Sequence, residues 1–450
     1  MKEVVSVLGK EKCLWVIQTC LEVSPSQEVE VVIMGQDQNL TRYTENHIHQ
    51  NVAQSDTEVS VRAVNGKRIG KASTNQIDRD SLVSTVLRAD ALSRLVPEEP
   101  DFPGLPEARP IPDGPVGLYD STLNCPPDLR AAYVARAVNM AKDKGVSAAG
   151  ALSTGSFEIA VGNSKGLRAY YARSDASMTC VATSPTSTGY AESAGLDVAK
   201  IDPTEIARTA IGKCLAGQDP VSIPPGEYDV ILEPLAVRDM LMYLAFMGFS
   251  GASYREGASF MSGKMGEKVT GDNITIWDDG LDPSGCPMPF DFEGIPKKKV
   301  MLIENGVARG VVYDSVTAAK DGKEPTGHSL GDMAFIPSLP INLFMAGGSV
   351  SVEDMIASTK KGILVTRFHY VNLVHPVKSI ITGMTRDGTF LIEDGKVLRG
   401  IKNLRFTESV LGALSRVDAL SPQKAMTGIL TTVCPAIRVR GFTFTGTTEF

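Results

Sequence analysis

The chain has only five histidines, His47, His49, His328, His369 and His375. A hydrolytic zinc centre needs about three protein ligands and an open fourth position for the water it activates. His47 and His49 stand two apart, so an extended chain puts them on one face. They form either a metal pair or, the favoured reading, an inert polar surface pair. No His-Glu-x-x-His occurs. In the run Leu364 to Val371, alternation sets Val365, Arg367, His369 and Val371 on one side of a strand. That face either lines a substrate channel or is a hydrogen-bonded barrel interior or subunit contact. Asp291 and Glu293 flank Phe292 and share a side, as an acid and base pair or as a solvated face.

Covalent catalysis finds less support. Ser156, Ser187, Ser259 and Ser262 lack the Gly-x-Ser-x-Gly setting of a nucleophile elbow. The seven cysteines are dispersed without any Cys-x-x-Cys, which reads as reduced, buried thiols, Cys434 included. Net charge is −7 with no dense run of lysine and arginine, so the sequence shows no basic footprint for nucleic acid. The first residues, with Lys2, Glu3, Lys10, Glu11 and Lys12 spread through them, do not resemble a signal peptide. No apolar run is long enough for a bilayer, and the expectation is a soluble, cytoplasmic protein without membrane partners.

At 450 residues two domains are expected. The fold class is α+β: an N-terminal α/β domain over 1–220, with a mixed sheet and helices, and a C-terminal β-rich, barrel-like domain over 226–450. Helical spacing marks Val4 to Leu21, Asp80 to Leu95, Asp128 to Lys144 and Leu235 to Met247, the last almost wholly apolar. Asp202 followed by Pro203 opens another helix, to about Leu215. Strands are expected at Val29 to Met34, Ser156 to Gly162, Arg168 to Ser174 and Tyr228 to Leu232, with Val59 to Val64 and Arg68 to Ser73 joined through Asn65-Gly66. Further strands end in the Asn305-Gly306 and Asp394-Gly395 turns. Ser184 to Gly195, rich in Ser, Thr and Gly, reads as a loop. The proline-rich stretch 97–115 reads as a linker or an extended surface strap.

Several spaced segments then resemble the TldD/PmbA family. Ser259-Phe260-Met261-Ser262-Gly263-Lys264-Met265-Gly266-Glu267-Lys268-Val269 is similar to its S-F-x-x-G-x-x-G-E-x-V segment. Phe290-Asp291-Phe292-Glu293-Gly294-Ile295-Pro296 resembles its F-D-x-E-G-x-P turn. Leu302 to Val307, Asp314-Ser315, Thr326-Gly327-His328, Pro340-Ile341-Asn342 and Pro435 to Phe442 follow in order, with a looser likeness around Ser187-Thr188-Gly189-Tyr190.

In the catalytic branch of that family a His-Glu-x-x-x-His motif precedes the S-x-x-G-E segment, and a cysteine near the C-terminus is the third ligand. Counting back without gaps, the motif positions fall here on Met242, Tyr243 and Met247. Thioethers are poor ligands for catalytic zinc, and a phenol is a weak base at neutral pH. The resemblance therefore implies a TldE/PmbA-like branch with no metal or catalytic residue of its own. It implies zinc in a TldD-like partner, a heterodimer enclosing a chamber, and unfolded peptide held extended along a sheet edge. The family name "modulator of DNA gyrase" gains nothing from an acidic chain. Residues expected to face substrate are Asp291, Glu293, His328, Arg367, His369 and Tyr370. Two other readings stay open: an independently active hydrolase with a non-standard site, and a homodimer that binds a peptide or small ligand.

Overall fold

The computed structural model describes residues 8–331, 336–426 and 431–448. In the N-terminal half a six-stranded sheet runs in the spatial order Arg68–Thr74, His47–Asn65, Glu28–Thr44, Ser147–Asn163, Arg168–Thr183, Thr188–Gly195. Every pairing in it is antiparallel, so the mixture of strand directions lies entirely in the C-terminal sheets. The expected strands are all present, and several grow far longer than expected: Val29 to Met34 seeds a strand of 17 residues, while Arg68–Thr74 gains only one. The Ser184 to Gly195 expectation fails, because Thr188–Gly195 pairs along Arg168–Thr183 as the sheet's edge strand. Its alternating burial matters more than its small polar composition.

The helices Lys10–Val23, Arg79–Ser93, Pro127–Asp143 and Pro203–Ala216 cover this sheet. The first was expected from Val4, part of which lies outside the described residues. Asp202 caps the last one, its carboxylate accepting from the amides of Thr204 at 2.8 Å and Glu205 at 3.2 Å. The proline-rich stretch is an extended strap. It buries Phe102 and Leu105 beside Val64, and the Leu105 amide donates to Glu28 at 2.8 Å.

In the C-terminal half five strands close into a barrel. Lys361–His375 lies parallel to Gly226–Leu232, Gly226–Leu232 pairs with Ile437–Thr447, that strand with Leu404–Ser409, that one with Ile380–Glu393, and the last returns to Lys361–His375. A second, smaller sheet includes Ile276–Asp278, Val300–Glu304 and Asn342–Met345. The Asn-Gly and Asp-Gly turns are as expected: Asn305 and Gly306 sit at φ 48° and 78°, Asp394 and Gly395 at 47° and 77°, which two-residue hairpins with positive φ at both positions require. Among the described residues no helix is long and apolar enough to cross a membrane.

One apolar core joins the barrel to the Pro234–Gly248 helix. Phe368, Phe406, Phe442 and Phe444 stack or meet edge to face inside it, and Met240, Leu241 and Leu244 of the helix pack into the same cluster. Phe442 is 1% exposed and meets the other three rings, so truncation leaves a large void. Phe442→Ala is expected to destabilise the C-terminal half by about 3–5 kcal/mol, read as a lowered denaturant midpoint for that half's transition.

Candidate functional site

The Pro234–Gly248 helix starts with Pro234 in its first turn, which needs no amide donor there, and carries a single charged pair, Arg238-Asp239. Its buried positions face the barrel core. The half-buried ones, Arg238, Asp239, Met242, Tyr243 and Phe246, fall three and four apart and form one stripe. Its Arg238 end reaches the N-terminal half, while Met242, Tyr243 and Phe246 pack against the barrel core.

Charged groups from both halves meet at the seam between them. Arg238 Nη1 donates to Glu192 Oε1 at 2.6 Å, Glu192 standing on the edge strand Thr188–Gly195. The Tyr190 hydroxyl donates to the other Glu192 oxygen. Arg367, from the barrel, lies over the Tyr190 ring at 4.3 Å and donates from Nε to Asp387 at 2.7 Å. Thr188 Oγ1 donates to the same carboxylate at 2.6 Å. Immediately before the helix, its N-cap residue Glu233 pairs with Lys213 of the Pro203–Ala216 helix. Asp239 lies 3.5 Å from Arg238 Nε, and burial raises its carboxyl to about 6 against the pull of Arg238. A cleft of about 620 Å³ opens at this seam, lined by Ser187, Thr188, Asp219, Asp387, Lys402 and Asn403 among others. Two of these, Thr188 and Asp387, also belong to the charged network.

The positions that resemble the zinc motif lie on the same helix, and their donor set does not fit a zinc ion. Met247 is 1% exposed and packs into the core. The Tyr243 hydroxyl is engaged, donating to the Val371 carbonyl, and burial raises its pKa further. Cys434 is fully buried, donates to the Pro234 carbonyl at 3.4 Å, and burial pushes its thiol up to about 12, far from the thiolate a metal needs. Among the described residues no cluster of three or more His, Cys, Asp or Glu side chains is placed to hold a metal.

The other expected site residues separate into two groups. Asp291, Glu293 and His328 do not face a substrate space, and that expectation is corrected. Asp291 organises its own turn: Oδ1 accepts from the amides of Glu293 at 3.0 Å and Ile295 at 2.9 Å, and Oδ2 from Ser329 at 2.8 Å. Burial, then the charge of Glu293, raises its carboxyl above the ordinary range. Glu293 accepts from the Ser315 hydroxyl at 2.6 Å and borders only a recess of about 50 Å³. His328 is buried between Asp278 (Nε2 to Oδ1, 2.8 Å) and Thr326, and burial lowers its pKa, which favours the neutral ring. Arg367 lies at the seam over Tyr190, His369 follows on the same face of its strand, and Tyr370 stands at a bulge with φ 48°. Tyr370 is 72% exposed, and burial, then Arg386 and Arg367, lower the pKa of His369. An acid–base set joining Asp291 and Glu293 to Arg367 and His369 is therefore not assembled. Glu192, Arg238, Asp239 and Asp387 escaped the sequence reading. The one available signal was a charged pair inside an otherwise apolar helix.

Comparison with known proteins places this geometry. Residues 225–446 match the PmbA/TldA metallopeptidase C-terminal domain, and residues 123–216 the central domain of the same family. A TldD-homologue metalloprotease of Haemophilus influenzae is 26% identical over 228 residues, 49% of this chain and 46% of that protein. An uncharacterized protein of Methanocaldococcus jannaschii is 34% identical over 128 residues, 28% of this chain and 31% of its own. These matches span less than half the length of either relative. Among solved structures, TldE of Thermococcus kodakarensis superposes with TM-score 0.88 at 24% identity, covering 97% of this chain and all of that one (100%). A Thermotoga maritima protein described as a modulator of a DNA gyrase gives 0.83 at 18%, covering 93% and 96%. With both domain models matched in order and the fold shared from end to end, the chain belongs to the TldD/PmbA family.

Proposed function

We propose that this chain is the non-catalytic, TldE/PmbA-like subunit of a two-component cytoplasmic zinc peptidase that cleaves unfolded peptides. The observation that carries the reading is chemical. Thioethers and an engaged phenol stand at the motif positions Met242, Tyr243 and Met247, so this helix holds no ion and ionises no water. The zinc belongs to a TldD-like partner, and the seam helix here serves to shape the structure. An extended peptide needs a free strand edge, and Lys361–His375 supplies one. Its pairing with Gly226–Leu232 runs only from Gly362 to Val365, and the strand continues to His375 beside Tyr243.

Purified alone, the chain is expected to carry far less than stoichiometric zinc and to leave unfolded peptides intact. Co-expressed with a TldD-like subunit, it should co-purify in an active complex. Elemental analysis and a casein-type peptide assay check both points, and a tightly held zinc whose chelation abolishes activity of the lone chain ends the reading.

The structural role of the helix has its own signature. Asp239 binds its proton more tightly folded than unfolded, since burial raises it to about 6. Its contribution to stability is fully present below the unfolded value of about 4 and is lost as pH rises through the folded value. The unfolding midpoint of Asp239→Asn should therefore gain on that of the wild type as pH rises from about 4 to about 7. A gap between the two proteins that stays constant over this range contradicts the assignment.

A further inference from the structure

The chain as a whole is acidic, yet residues 360–405 hold nine Lys and Arg against three Asp and Glu, a local charge of +6 that leaves −13 for the rest. Strand pairing gathers part of this charge into one place. Arg367 lies opposite Arg386, His369 opposite Met384, and Met384 opposite Arg405, so these side chains share the outward face of the barrel hairpin. Arg386 is 41% exposed and its nearest acid, Asp387, is 3.8 Å away with both oxygens already engaged by Arg367 and Thr188. Arg399, Lys402 and Arg405 are exposed and have no ion-pair partner among the described residues. The depressed pKa of His369, which Arg386 and Arg367 reinforce after burial, reports the same positive field. Toward the hairpin tip the surface turns apolar, with Tyr370, Leu373, Val374 and Val377 all exposed.

We propose that this face docks an extended polypeptide segment in which acidic and apolar side chains are interspersed. The carboxylates would lie against Arg386, Arg405 and Lys402, which lines the cleft beside Asp387, and the apolar side chains against Tyr370 and Val374. Charge complementarity selects the occupant. A nucleic acid or an anionic bilayer carries negative charge well beyond the limits of the face, where it meets the acidic remainder of the chain. A short acidic segment ends where the positive charge ends. The docking face depends on strand register and charge, not on the metal question, and stands whether or not the chain is a peptidase subunit.

Fluorescence anisotropy on the full chain tests it, with a short labelled peptide alternating glutamate and leucine as probe. Arg386→Glu/Lys402→Glu/Arg405→Glu should weaken binding by about tenfold or more, and added salt should weaken binding to the wild type. Tyr370→Ser/Val374→Ser, which leaves the charge intact, should weaken it by a smaller factor. Arg79→Glu, on a helix that packs only in the N-terminal half, should leave it unchanged. Three results overturn the proposal. One is unchanged peptide affinity in the triple variant. Another is tighter binding of a single-stranded oligonucleotide or of anionic vesicles than of the peptide, lost on the same reversal. The third is salt-sensitive self-association without peptide that the reversal removes, which gives the face to a second copy of the chain.

Discussion

An apolar helix that carries two charges into a domain seam constrains the rest of this molecule. Pro234–Gly248 must bury Met240, Leu241 and Leu244 against the barrel, and that orientation fixes where Arg238 and Asp239 emerge. A desolvated guanidinium without a partner costs several kcal/mol, on the order of 3–5 by analogy with broken buried pairs. Glu192 and Asp239 meet that demand, and Glu192 reaches it only because the last strand of the N-terminal sheet lies along the seam. Lys213 with Glu233, and Thr188 with Asp387, repeat the device on either side. These polar bonds add to an apolar contact between the halves, in which Met288, Phe290 and Phe292 pack against Ile159, Val161, Leu167 and Tyr171 of the N-terminal sheet.

The substitutions at the motif positions make sense on the same terms. A histidine or glutamate on this helix would need either a metal or a hydrogen-bond partner once desolvated. Met242 and Met247 remove that need, since a thioether packs into irregular apolar space without leaving a donor unpaired. Tyr243 keeps one donor and spends it on Val371, tying the helix to the barrel hairpin. Pro234–Gly248 thus packs into the barrel core and braces the hairpin.

What the sequence made legible was local. Asn305-Gly306 and Asp394-Gly395 determined their turns, Asp202 with Pro203 its helix start, and apolar spacing the buried helix, because in each case neighbouring residues carry the physics. Thr188–Gly195 was unreadable as a strand, since only its pairing with Arg168–Thr183 makes it one. Asp291, Glu293 and His328 were misjudged for a related reason. Alternation assigned the carboxylates a shared side, but their segment is a turn in which Asp291 collects three amides, and burial of such a turn leaves no trace in composition. The seam network was invisible because Glu192 and Arg238 lie 46 positions apart.

Electrostatics shows the same division most sharply. A count over the whole chain gives −7 and no basic run, and both statements are true of the sequence. The positive face exists because Arg367, Arg386 and Arg405 arrive singly, each on its own strand, and register sets them side by side. Its strength is then decided at the seam. Asp387 accepts from Arg367 and from Thr188, so it neutralises the arginine that stacks on Tyr190 and has little left for Arg386. The bond that helps join the two halves thus leaves the outward charge uncompensated, and any displacement of Thr188–Gly195 from Asp387 would change both at once.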